Sequence, residues 1–213
     1  TVDWTNPWGE HKYVDNIEER EDGGTPAFLQ TIKTAMSIQL KEKMGVDNIL
    51  AREHEIHNIV WNKFLNIKNL HLLANNFFDR LGVYSFYIDD LHFNLAVQLL
   101  NDRYGIQVRG GCSCAGTYGH ILLDVNRDFS HNITNHINHG DLSLKPGWVR
   151  MSIHPTMTNE EINYIMDAIK DIAENHSCWS NLYEYQATNN EYSFKSKDFS
   201  NKNKLRAKSW FTF

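Results

Sequence analysis

Between positions 108 and 115 the chain reads Val108-Arg-Gly-Gly-Cys-Ser-Cys-Ala115, which sets a guanidinium and two thiols around a pair of glycines. Glycines let a backbone turn sharply and approach a ligand, and a loop at the end of a rigid element is where reactive groups are commonly presented. Three chemistries fit Cys112 and Cys114: inert packed thiols, half of a zinc site, or a nucleophile activated by its surroundings. No second Cys-x-Cys and no close Cys-His pair completes four zinc ligands. A second reactive candidate is Arg150, in the middle of the alternating run Trp148–Ile153. A mid-strand guanidinium is costly to bury without an anion, so Arg150 either pairs with a local carboxylate or awaits a ligand's. The third is Glu21-Asp-Gly-Gly-Thr-Pro26, where Thr25 and Pro26 suit the start of a helix and Gly23 and Gly24 precede it. Backbone N–H groups and the macrodipole at such an end favour anions, although a plain cap explains the same residues.

These residues need elements to hold them. Phe28, Ile32, Ala35, Met36 and Leu40 recur at helical spacing up to Gly45, and Ile49, Ile56, Val60 and Phe64 mark a second helix from about Asp47 to Leu65. His54 and His57 lie on that helix among Glu53 and Glu55, as expected of a solvated face. Strands are expected at His71–Ala74 and Val83–Ile88. A third helix capped by Asp89 or Asp90 ends at Gly105, and strand Ile106–Val108 then delivers the cysteine loop. Helical segments over Tyr118–Val125 and Asn126–Asn138 follow, the latter with His131, His136 and His139 near a polar surface. Thr158-Asn-Glu-Glu161 is a capping box opening a helix whose buried face includes Ile162, Met166, Ile169 and Ile172. Strands alternating with helices predict an α/β or α+β layer, a small mixed or antiparallel sheet with helices on it.

With 213 residues, 41% of them hydrophobic, the chain can bury one sizeable core with a smaller appendage. A net charge of -5 without a basic stripe argues against nucleic acid, and no apolar run reaches the ~18 residues of a membrane span. Three unevenly spaced cysteines and no leader-like start point to a reducing cytoplasm rather than a disulfide framework.

The cysteine loop, Glu21-Asp-Gly-Gly-Thr-Pro26 and Gly147-Trp-Val-Arg-Met-Ser-Ile-His-Pro155 occur in an order that resembles the C-terminal part of class V aminotransferases and cysteine desulfurases. These are pyridoxal phosphate (PLP) enzymes of fold type I. The resemblance covers roughly residues 10–175. It implies that Arg150 and Arg109 bind the substrate, Arg150 by forking the amino acid's carboxylate. It also implies that Cys114, five residues after Arg109, stands where one desulfurase branch has its persulfide-forming cysteine. Cys112 is a thiol where that branch usually has none. Thr25, following Gly24, would contact the cofactor phosphate of the other subunit of a homodimer. PLP also requires a lysine that holds it as a Schiff base. His11-Lys12 is followed by Tyr-Val-Asp-Asn and lies too near Gly-Gly-Thr-Pro, so Lys12 is expected at the surface and the cofactor lysine outside this chain. Beginning at Thr1, the chain is expected to be a portion of a longer enzyme. Residues 1–25 would be the remnant of a large cofactor domain and linker, 26–187 the small domain, and 188–213 a polar, Lys-rich tail whose Trp-Phe-Thr-Phe end docks elsewhere. On this reading the portion alone has no turnover. The rival is a noncatalytic module for dimerisation or sulfur relay.

Overall fold

The computed structural model describes residues 1–196 together with Leu205, Lys208 and Ser209. Two compact units divide at Leu50, well beyond the boundary expected near residue 25. In the first, β1 (Val2–Thr5) and β2 (His11–Tyr13) pair antiparallel, so the aromatic N-terminal stretch is a two-stranded ribbon. Helix α1 (Ile17–Glu21) starts where the Asn16 side chain accepts the N–H groups of Glu18 and Glu19. Helix α2 (Phe28–Met44) follows the Gly-Gly-Thr-Pro run. Its N-cap is Ala27, without a side-chain hydrogen bond, so Thr25 does not cap it. The expectation failed because Phe28 N–H bonds back to the Pro26 carbonyl, and the helix begins two residues later than Pro26.

Helix α3 (Val46–Leu65) leads into the second unit, whose centre is a sheet of β3 (Leu70–Leu72), β4 (Val83–Ile88), β5 (Arg109–Gly111) and β6 (Trp148–Ser152) in the order β3-β4-β6-β5. Every pairing is antiparallel, the second of the two sheet types expected. Strand β5 begins at Arg109 rather than Ile106, because the ladder with β6 pairs Arg109 with Arg150, Gly110 with Val149 and Gly111 with Trp148. One face carries Leu70, Leu72, Tyr84, Phe86, Ile88, Val149 and Met151, all buried. Helices α3, α4 (Phe93–Tyr104) and α7 (Asn159–Asn175) supply the rest of this core. Phe64 of α3 meets Tyr84 and Phe86, and Leu99, Ile162 and Met166 are sealed from solvent. Each such side chain contributes about 1.5–3 kcal/mol relative to exposure.

Local chemistry fixes the helix ends. Gly105 adopts the left-handed conformation that stops α4, and Thr158 with Glu161 closes the predicted capping box of α7. The N-cap of α4 is His92 rather than an aspartate: its Nδ1 accepts the Asn94 N–H at 3.1 Å. His57 is buried, not solvated. It packs against Trp61 and Phe78, and its Nδ1 accepts the Tyr84 hydroxyl at 2.6 Å.

The opposite face of the sheet is covered at one end by α5 (Gly116–Leu122) and α6 (Arg127–Asn138), where the Trp148 ring lies against Gly119. After α8 (Ser177–Ser180), strands β7 (Tyr183–Gln186) and β8 (Glu191–Phe194) form a hairpin, so ordered structure runs past the expected tail boundary at 188. The Trp-Phe-Thr-Phe end lies outside the described residues.

Candidate active site

Strand β6 is central, and its alternation decides what each face presents. Val149 and Met151 point into the core, which sends Trp148 and Arg150 to the other side. The register places Ser85 of β4 and Arg109 of β5 on either side of Arg150, so two guanidinium-bearing residues are adjacent on one face. Like charges directly opposite are unfavourable. Among the described residues no carboxylate or hydrogen-bond acceptor engages the half-buried Arg150 guanidinium. The local ion pair that would have made it structural is therefore missing.

Gly110 lets β5 lie close on α4, since a Cβ there would stand 2.5 Å from Asn94 Oδ1 and 3.1 Å from Phe93 and Val97. Gly111, with φ of 113°, then swings the chain out of the ladder. Ala115 donates its N–H to the Cys112 carbonyl at 2.9 Å, closing a four-residue turn with Ser113 (φ 52°) and Cys114 (φ 62°) at its centre. Two positive φ values mark the I′ class, which normally selects glycine or asparagine. Holding serine and cysteine there stores strain of order 1–3 kcal/mol per residue. Cys114 is exposed and Cys112 half-buried, and an Arg109 guanidinium N–H points at Cys114 Sγ from 3.8 Å.

Both thiols line a cleft of about 340 Å³ with Arg109, Lys145 and Asn190, and among the described residues no carboxylate lines it. Lys145 and Asn190 were not anticipated. Asn190 is held by the Asn94 side-chain amide, which donates to its carbonyl, and by the Tyr185 hydroxyl, which donates to its Oδ1 at 2.8 Å. The alternation Tyr183-x-Tyr185 and Tyr192-x-Phe194 around Asn189-Asn190 is the hairpin signal that could have located this wall. Lys145 lies in a loop ordered by Asp141, whose carboxyl is held at about 2 by the backbone N–H and hydroxyl of Ser143 and by His136.

Behind the loop, Cys112 also lines a mostly apolar cavity of about 170 Å³ with Gly119, His120, Ile133 and Trp148. His120 Nε2 and Ser130 Oγ, 2.9 Å apart, tie α5 to α6 along its wall. Trp148 is buried, and its Nε1–H has no hydrogen-bond partner among the described residues.

Thus Arg109 is the link within the second unit: it pairs with Arg150 across the ladder and lines the cleft with Cys112 and Cys114, whereas Arg150 does not line that cleft. Gly24 and Thr25 belong to the first unit. There Gly24 has φ of 87°, and the first turn of α2 lacks a side-chain cap. Among the described residues, no group of three or more His, Cys, Asp or Glu side chains could hold a metal ion. No helix among them is long and apolar enough to cross a membrane.

Residues 7–165 match the family model described as aminotransferase class-V. A probable cysteine desulfurase of Streptomyces coelicolor is 30% identical over 95 residues, which is 44% of this chain and 22% of that protein. The apo structure of a cysteine desulfurase from Thermococcus onnurineus NA1 superposes with a TM-score of 0.55 at 22% identity, covering 82% of this chain and 38% of that one. A C-DES mutant with glycine covalently linked to its PLP cofactor superposes with a TM-score of 0.50 at 19% identity, over 78% and 35%. The match thus spans less than two fifths of each of these proteins. The fold is that of the C-terminal small domain of a fold-type I PLP enzyme, and the chain belongs to the class V aminotransferase family.

Proposed function

We propose that this chain forms the substrate-carboxylate and thiol side of a PLP-dependent enzyme acting on an amino acid, with desulfuration of cysteine as its reaction. The observation that carries this is the unpaired Arg150 guanidinium beside Arg109 and the strained cysteine turn. Arg150 supplies the planar, permanently charged donor pair that a carboxylate needs, and Arg109 adds positive charge on the same face. Cys114, exposed on the cleft, accepts the substrate's sulfur as a persulfide.

PLP, when bound, supplies the electron sink that labilises bonds at the amino acid's α-carbon. The chain's own residues fit its phosphate at one place. Gly24 is already left-handed, Thr25 is not spent on capping, and the first-turn amides of α2 are free of a side-chain acceptor. In this reading Thr25 and Gly24 serve the phosphate in the other subunit of a homodimer, and the exposed apolar residues of α2 are covered by assembly. No lysine in the matched segments sits where it would hold the cofactor, so the 213-residue chain is inactive alone. Turnover requires a polypeptide that also carries the cofactor lysine. The reducing cytoplasm suits a working thiol.

The test is steady-state release of alanine from cysteine by such a polypeptide. Arg150→Gln is expected to raise KM by the equivalent of about 2–3 kcal/mol, with Arg150→Lys recovering only part of it. An unchanged KM overturns the carboxylate role, and alanine produced by the pure 213-residue chain overturns its inactivity.

A further inference from the structure

We infer that Cys112 is a relay thiol: it takes the sulfane sulfur from Cys114 and moves it from the open cleft to the cavity behind the loop. This rests on the reading of Cys114 as sulfur acceptor, but the geometry behind it is separate. Cys112 is the thiol that lines both spaces, and Cys114 lines only the cleft. The turn between them is fixed by the Ala115–Cys112 hydrogen bond, and with both central residues left-handed it brings the two Cα atoms to about 5.5 Å, the chord of a helical step of two residues. That separation lies within the Cα range that a disulfide spans.

The step is a sulfur transfer without net oxidation. The Cys112 thiolate attacks the terminal sulfur of the Cys114 persulfide. A new S–S bond forms to Cys112 Sγ while the bond from that sulfur to Cys114 Sγ breaks, and its electron pair leaves on Cys114 as a thiolate. The proton given up by Cys112 returns to Cys114 through solvent. Attack on Cys114 Sγ itself would instead release hydrosulfide and leave a disulfide spanning one residue.

The cavity suits what it would receive. Its walls are mostly apolar, which keeps water and competing thiols from the transferred sulfur. A half-buried Cys112 is also poorly placed to react directly with a bulky donor, whereas Cys114 is exposed.

The test loads the 213-residue chain with glutathione persulfide, quenches with iodoacetamide at successive times, and locates the added sulfur by tandem mass spectrometry. Sulfur is expected on Cys114 first and on Cys112 afterwards. In Cys114→Ser and Cys114→Ala, labelling of Cys112 is expected to be lost while exposed Cys178 labels as before, with near-ultraviolet circular dichroism reporting the fold. The relay is overturned if Cys112 labels equally fast in those variants, never labels in the wild type, or ends in a Cys112–Cys114 disulfide with hydrosulfide released. Because the donor replaces cysteine and PLP, these outcomes stand apart from the alanine assay, whose failure alone would remove the desulfurase reading.

Discussion

Arg150 and Arg109 face each other across one rung of the β5–β6 ladder, with no carboxylate between them among the described residues. Opposed like charges cost a few tenths of a kcal/mol up to about 1 kcal/mol in a sheet. The Arg150→Gln variant that weakens substrate binding should therefore leave the thermal midpoint unchanged or raise it, which separates a binding residue from a structural one. His57 is the converse case, a group spent entirely on structure. Burial lowers its pKa, and the Tyr84 hydroxyl, whose own pKa burial raises to about 12, remains the donor to its Nδ1. The sign follows from linkage: with the folded pKa below the unfolded one, the unfolded chain binds the extra proton. Stability is complete above the unfolded value of about 6.5 and is lost as pH falls from there through the lowered folded pKa. Urea midpoints measured between about pH 7.5 and about pH 5 should decline on acidification. In His57→Gln, which keeps an acceptor for Tyr84 without a titrating group, that decline should be shallower, and an equal slope would assign it elsewhere.

At the scale of elements, the ladder that aligns Arg150 depends on close packing at Gly147. A Cβ there would stand 2.6 Å from the Phe93 ring and 2.9 Å from Gly111 Cα. Gly147→Ala must push α4 or β5 aside. It is expected to cost about 1–3 kcal/mol in a urea melt and to displace the amide resonances of Gly110, Gly111 and Cys112. The same region shows what could be read from sequence and what could not. Helices α3, α4 and α7 and strand β6 announced themselves by period and end signals, such as Gly105 and the Thr158 box, because those depend on residues a turn apart. Strand β5 did not. The apolar run Ile106–Val108 drew the expectation, while the ladder took the glycines beyond it because β6 fixes the register from forty residues away. His57 was misplaced for a related reason: its neighbour Glu55 is exposed and Glu53 only half-buried, and a residue's side of a helix is decided by tertiary partners such as Tyr84. Cys114, Arg150 and the Gly-Thr-Pro run were found by type and resemblance. Their company was not, since Lys145 and Asn190 reach the cleft only through tertiary folding.

Across the whole molecule the two units differ in how they are held. The second has a continuous core on three helices and a sheet. In the first, α2 buries none of its seventeen residues, and Phe28, Leu29, Ile32, Met36 and Leu40 are all exposed. A helix of this length without a packed face is marginal in water, because propagation barely offsets the cost of nucleation. Its partners within the first unit are a two-stranded ribbon and a five-residue helix, neither of which supplies a core. Hydrogen exchange on the dilute chain should therefore find the amides of 28–44 opening with little free energy, while those of β4, β6 and α7 exchange only through global unfolding. Raising the protein concentration distinguishes the causes. If α2 is a face that a second copy covers, its protection rises with concentration and falls in Ile32→Glu, while the second unit's protection is unaffected by either change. Protection of α2 that is strong at high dilution and indifferent to Ile32→Glu would mean that the chain stabilises the helix by itself, and the homodimer reading of Thr25 would lose its structural support.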